Sequence, residues 1–186
     1  MNGNLERGSN RALYTRWLLI AIVLHNCEEV FALERTPGVV DRMREMFELT
    51  IAMPGLDTIR AGLATLALVP ALILWRAWSD AKAAEQGAVP STRFAFVTCM
   101  IAAMTTANAI VPHLALGVAL GGYVPGLASA IALTLPIGVL TLMAGWREEW
   151  LGREALLTAV LLGIALLPLV LGGFWALGEL AAEISA

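Results

Sequence analysis

His25, Glu28 and Glu29 stand within five residues, in His25-Asn26-Cys27-Glu28-Glu29. On a helix, positions i, i+3 and i+4 fall near one face, about a turn apart. One imidazole and two carboxylates placed so can hold a divalent cation or hand a proton between them. Their neighbours are apolar: residues 17–24 precede them and residues 30–33 follow. A charged side chain at bilayer depth costs roughly 2.5–3.5 kcal/mol on insertion scales. Three on one turn must therefore face protein, not lipid.

The chain has one other histidine, His113, also inside an apolar stretch. His25 lies eight residues before Leu33, about 12 Å below the end of its span at 1.5 Å per residue. His113 lies seven residues before Leu120, about 10–11 Å below the end of its own span. Both spans run in the same direction, so His25, Glu28, Glu29 and His113 are predicted to converge in one half of a bundle. Two imidazoles with one or two carboxylates suit Zn²⁺ or Fe²⁺, with positions left for water or substrate. In that reading His25, Glu28, Glu29 and His113 are metal ligands. One glutamate binds and the other acts as general base on a bound water. Tyr123 and Asn108 are donors beside the site, Tyr123 with a catalytic part. Asp57 and Arg60, three apart at the start of a span, read either as an interfacial ion pair or as residues lining the mouth of the site.

Other chemistries use the same residues. A carboxyl shielded from water can act as an acid near neutral pH. That suits metal-free isomerisation or cyclisation of an isoprenoid-like lipid. Intramembrane His/Glu chains also serve proton- or ion-coupled transporters. A structural fastener is the plainest reading, but interhelical polar contacts need one or two groups, not four ionisable ones. Cys27 and Cys99 fall at different depths and read as small packing residues without a disulfide.

The elements that position these groups follow from hydropathy. Of 186 residues, 59% are hydrophobic and 15% charged, with mean hydropathy +0.76. Soluble domains average about 45–50% apolar and about 25% charged. The chain reads as an all-α, polytopic membrane bundle forming a single membrane domain, with about five transmembrane helices at 13–33, 58–78, 94–120, 127–146 and 155–177. The apolar stretch at 17–24 is followed by His and Glu instead of a small-residue cleavage site, so it reads as a retained span. Thr36-Pro37 reads as a helix start. Residues 38–52 alternate as an interfacial amphipathic helix, a lid, gate or anchor on the site's side. Residues 79–90 read as a polar loop, with Ser91 capping the third span. Pro112 should kink that span. Gly117 and Gly121 have the spacing of a close helix contact.

Lysine and arginine set the orientation. Arg7, Arg11, Arg16, Arg76, Lys82, Arg93, Arg147 and Arg153 fall on the N-terminal side; Arg35, Arg42, Arg44 and Arg60 fall on the other. The N-terminus is therefore expected in the cytoplasm and the C-terminus outside, in an inner membrane or its equivalent. The net charge of −3 carries no basic footprint for nucleic acid. Expected partners are membrane lipid and a lipophilic or small-molecule substrate; monomer and homodimer both stay open.

Three motifs occur in order here: His25-x-x-Glu28-Glu29, His113, and Tyr123-x-Pro125-Gly126. In this the chain resembles a family of bacterial integral membrane proteins named for the H-x-x-E-E motif. The resemblance spans residues 25–126 and implies membrane embedding and these residues. It implies no activity.

Overall fold

A computed structural model describes residues 10–36, 38–46 and 56–185. Among them the chain is helical and has no strand. The helices are α1 (Arg11–Arg35), α2 (Val39–Met46), α3 (Leu56–Glu85), α4 (Thr92–Ala119), α5 (Leu127–Arg147) and α6 (Arg153–Ser185). Four segments are long and apolar enough to cross a membrane: Ile59–Glu85, Thr92–Ala119, Leu127–Arg147 and Arg153–Gly173. This is a membrane protein. With 25 residues, α1 has the length to span too. Its run of His25, Asn26, Glu28 and Glu29 makes it the least hydropathic of the five.

The outer faces carry what a hydrocarbon solvent requires. Phe31, Leu68, Val118, Leu157, Leu161 and Leu169 are all well over half accessible. So much exposed apolar surface marks a lipid-facing bundle. Inside, Leu18 and Ile22 of α1 meet Leu74 of α3 and Ile101 and Ala102 of α4. A second cluster packs Cys99 of α4 against Leu156 and Ala159 of α6. Two of the buried hydroxyls are satisfied locally: Thr98 donates to the Phe94 carbonyl at 2.8 Å and Thr141 to the Ile137 carbonyl at 2.7 Å. Such back-bonding lets a threonine sit in an apolar core.

One end of the bundle is tied by a buried ion pair. Arg11 bonds Asp80 Oδ2 and the Ser91 carbonyl, each at 3.0 Å, and Asp80 Oδ2 accepts from the Ser91 amide at 3.1 Å. The start of α1, the last turns of α3 and the start of α4 are thus one unit. This is why α3 continues to Glu85, through the first half of the expected 79–90 loop. A carboxylate in its last turns has a partner on each neighbour. Ser91 occupies the cap position of α4, but its side chain makes no capping bond.

Several local expectations are corrected. Thr36 does not start a helix; its hydroxyl donates back to the Ala32 carbonyl at 2.7 Å, closing α1, and α2 begins at Val39. The rest of the expected 38–52 helix, beyond Met46, lies outside the described residues. Rather than only lying on a surface, α2 buries Val39 against Leu116 and Val124. The last helix runs unbroken through Gly172-Gly173 to Ser185, beyond the expected 177. Gly117 packs on Leu127, but Gly121 has open space around it and φ +63°, so it ends α4 instead of joining a two-glycine contact. Cys99 is a buried packing residue; Cys27 is exposed, and neither is in a disulfide.

Pro112 interrupts α4 as expected. Within Ala109–Leu114 two helical segments meet at a kink, with Val111 in extended geometry at φ −131° and ψ 111°. A proline has no N–H to give the preceding turn, and its ring crowds the carbonyl four residues back. A π-type turn, Ala130–Thr134, lies in the first part of α5.

Helices α4 and α6 approach most closely at Gly163, where a Cβ would clash with the Met100 carbonyl and lie 3.1 Å from Ala103 Cβ. Gly163→Leu should therefore destabilise the bundle by about 1–3 kcal/mol. Gly172→Ala, with nothing within 4 Å of the new carbon, should be neutral. Thermal unfolding of both variants in one detergent checks the contrast.

Candidate functional site

The bundle brings His25 of α1 and His113 of α4 together. Their rings meet edge to face, centroids 4.7 Å apart and planes at 89°. Both residues are 4% exposed. Glu29 lies between them and turns one oxygen to each: Oε1 is 3.3 Å from His113 Nε2, and Oε2 is 3.9 Å from His25 Nε2. One donor atom from each of the three falls within 4.8 Å of the others.

The outer hydrogen bonds decide which nitrogen faces inward. His113 Nδ1 is 2.9 Å from the Pro125 carbonyl, which can only accept. That nitrogen carries the proton and Nε2 presents its lone pair. On the other ring, His25 Nδ1 is 3.0 Å from Ser129 Oγ. The Ser129 hydroxyl gives its own proton to the Gly126 carbonyl at 3.3 Å, so it accepts from the imidazole. His25 Nε2 is therefore also a lone pair, with Asn108 Nδ2 beside it at 3.4 Å. His113 Nε2 is buried and has no hydrogen-bond partner among the described residues. Two lone-pair nitrogens and a carboxylate share one enclosed space.

Such a donor set fits a divalent metal. Zinc binds imidazole at about 2.0–2.1 Å and carboxylate at about 2.0–2.2 Å, which puts tetrahedral neighbours roughly 3.3–3.5 Å apart. The His113–Glu29 separation already matches; the three donor atoms together, within 4.8 Å of one another, must draw in further to share one ion. Ligating histidines almost always donate their second nitrogen to a carbonyl or a similar acceptor, as both do here.

The Tyr-x-Pro-Gly turn is the third wall. Gly126 has φ +82°, and a Cβ there would lie 2.7 Å from Glu29 Cγ, 2.7 Å from His113 Cε1 and 2.9 Å from His25 Cε1. Only a residue without a side chain lets this backbone close over the three.

The two glutamates take different parts. Glu29 faces the imidazoles. Glu28 turns to the start of α5: Oε2 accepts from the Ser129 amide at 2.6 Å and Oε1 from the Ala128 amide at 3.2 Å. The Tyr123 hydroxyl donates to the same carboxylate. A carboxylate over the unpaired N–H groups of a helix start is favoured by hydrogen bonding and by the helix dipole. Expected as a metal ligand or base, Glu28 instead stands outside the triad as a clasp between α1 and α5. Tyr123, expected to act in catalysis, is placed on that clasp too. Burial and the neighbouring Glu28 carboxylate push its phenol up to about 12, so it stays a donor.

Asn108, expected as a donor about a turn inward of His113, has its Nδ2 3.4 Å from His25 Nε2. Arg60 is half-buried on α3, outside the lining of the site. The side chain of Asp57 lies outside the described residues. Sequence reasoning passed over Ser129. The available signal was a serine three residues after Gly126, in a span whose only other hydroxyls are Thr134 and Thr141.

A cavity of about 450 Å³ opens on the other side of the triad, between α1, α3, α4 and α6. His25, Glu29 and Asn108 reach into one end, and the rest of its wall is largely aliphatic.

Comparison with curated proteins and with solved structures returned no match. A family model described as a protein of unknown function with HXXEE motif matches residues 17–141, two thirds of the chain. The matched stretch takes in every residue of the triad, the clasp and the glycine turn. The chain belongs to the HXXEE family of membrane proteins.

Proposed function

We propose that this protein is a membrane-embedded enzyme whose His25, Glu29 and His113 hold a divalent metal, zinc or iron, and that it acts on a small or lipid-like molecule. The observation that carries the reading is the inward pair of imidazole lone pairs facing one carboxylate, each tautomer set by an outer hydrogen bond. Two histidines and one carboxylate leave further positions for water or substrate. A metal so held supplies Lewis acidity to a bound oxygen. The chain's own groups do the rest. Glu29 and the imidazoles fix the position, and Asn108 is a donor for an oxygen next to His25. The apolar walls keep bulk water away.

A second reading rests on the 3.3 Å approach of Glu29 to His113. A single shared proton would also relieve it, and the pair would then work as a metal-free acid and base on an isoprenoid-like lipid. Activity that survives a strong chelator selects this reading. Transport has less support. Away from His25, Glu29 and Asn108 the cavity is lined largely by apolar side chains such as Ile22, Ile73 and Met100, which give an ion little to follow.

We place the chain in the cytoplasmic membrane with its N-terminus inside and its C-terminus outside. Eight of twelve Lys and Arg fall on the N-terminal side by the sequence, and cytoplasmic loops collect such residues. The triad then lies in the outer half of the bilayer. Reporter fusions at the two termini should give a cytoplasmic signal at the first and an external one at the second; the opposite pattern refutes the placement.

Element analysis of protein purified without chelator should find close to one equivalent of zinc or iron. His25→Ala, His113→Ala and Glu29→Gln should each lose most of it. Glu28→Gln should keep the metal while lowering the unfolding temperature, because it removes a clasp and no ligand. Wild-type protein with less than a few tenths of an equivalent of any metal rejects the metal centre.

Ser129→Ala removes the acceptor that orients His25. Outer partners of this kind are worth about 10–100-fold in metal affinity. Competition with a chromogenic chelator should show a loss in that range, with the fold intact by circular dichroism.

A further inference from the structure

We infer that the cavity beside the triad is a slot for one long-chain amphiphile, its oxygen-bearing head at Glu29 and Asn108 and its hydrocarbon tail directed toward the middle of the bilayer. The inference rests on the proposed reading of the triad only for the chemistry at the head.

Length and polarity both point this way. Leu63 and Ile73 of α3 both line the slot, ten residues and so about 15 Å apart. On α4 the lining runs from Met100 to Asn108, about 12 Å, and on α1 from Ile22 to Glu29, about 10 Å. The slot is therefore elongated along the helix axes. Its volume, about 450 Å³, lies within the usual range for ligand sites.

All its free polar capacity is at one end, where His25, Asn26, Glu29 and Asn108 gather. Two hydroxyls along the wall are already spent. Thr65 donates to the Ala61 carbonyl at 2.9 Å, and Thr105 to the carbonyls of Ile101 and Ala102 at 3.0 and 3.1 Å. An internal water needs two to four polar partners, and the middle of the slot offers none. The interior is dry, and hydrocarbon is what fits it. A lipid of the leaflet on the site's side presents the same order, polar head at the outer level and tail toward the midplane.

Access follows from the packing. Helix α3 rests chiefly on α1 and α6 chiefly on α4, and the two meet each other only sparingly. Val69 and Ile73 of α3, 51% and 36% exposed, line the slot on that side. A chain can slide in from the bilayer without crossing water.

The test uses the full protein in nanodiscs with a fatty alcohol that carries a photoactivatable diazirine in mid-chain. Labelling should concentrate on slot residues such as Leu66, Met104 and Leu167. It should fall at least five-fold with excess unlabelled alcohol or in Val69→Trp, which fills the slot. Labelling at the outward-facing Leu68 and Leu157 should not change. Labelling shared alike by slot and outer residues, with no response to competitor in the wild type, overturns the slot. Metal content is measured on the same samples. Slot labelling without metal keeps this inference and removes the metal centre. Metal without competitor-sensitive labelling does the reverse.

Discussion

A carboxylate and two imidazole lone pairs enclosed together in hydrocarbon repel one another unless a positive charge lies among them. Everything around His25, Glu29 and His113 is arranged to sustain that condition. The Pro125 carbonyl and the Ser129 hydroxyl hold the protons of the two rings on the outside. Glu29 divides its two oxygens between the rings. In water such a cluster would spread apart and be solvated. In a membrane bundle it cannot, because the helices that carry it are held by lipid-facing surfaces that have nowhere else to go.

Two departures from regular helix make the cluster possible. The kink within Ala109–Leu114 breaks α4 at Val111, and His113 lies just beyond it, buried. The left-handed Gly126 lets the following turn press its backbone onto all three side chains. The carbonyls of Pro125 and Gly126 at this turn are the acceptors that set the tautomers, the Gly126 carbonyl also taking the Ala130 amide at 2.8 Å. Val39 of α2 packs on Leu116 and Val124, next to this turn, and braces it from outside.

The paired glutamates show how neighbouring residues of one type divide the work. Successive positions on a helix differ by about 100°, and in this bundle Glu28 and Glu29 serve different partners. Glu29 points into the cluster. Glu28 points to the first amides of α5 and to Tyr123, fastening the helix that delivers Ser129. The i, i+4 pair lies in the buried cluster, and the i, i+3 glutamate holds the frame. An apolar slot alongside completes the arrangement, polar only where it meets Glu29 and Asn108.

Much of this was written in residue order. Hydropathy alone implies a membrane bundle, because no other solvent tolerates runs like residues 155–171. Pro112 announces a kink, since a proline cannot donate to the turn before it. The matched depths of His25 and His113 follow from counting residues along two parallel spans. What counting could not supply was direction around the axes. Whether Glu28 or Glu29 meets the imidazoles depends on how α1 is rotated against α4 and α5. The role of Ser129 depends on Gly126 bringing one helix start against another, across more than a hundred residues of chain. Depth is a property of one helix and can be read from its letters. Facing is a property of several helices packed together, and only the folded bundle decides it.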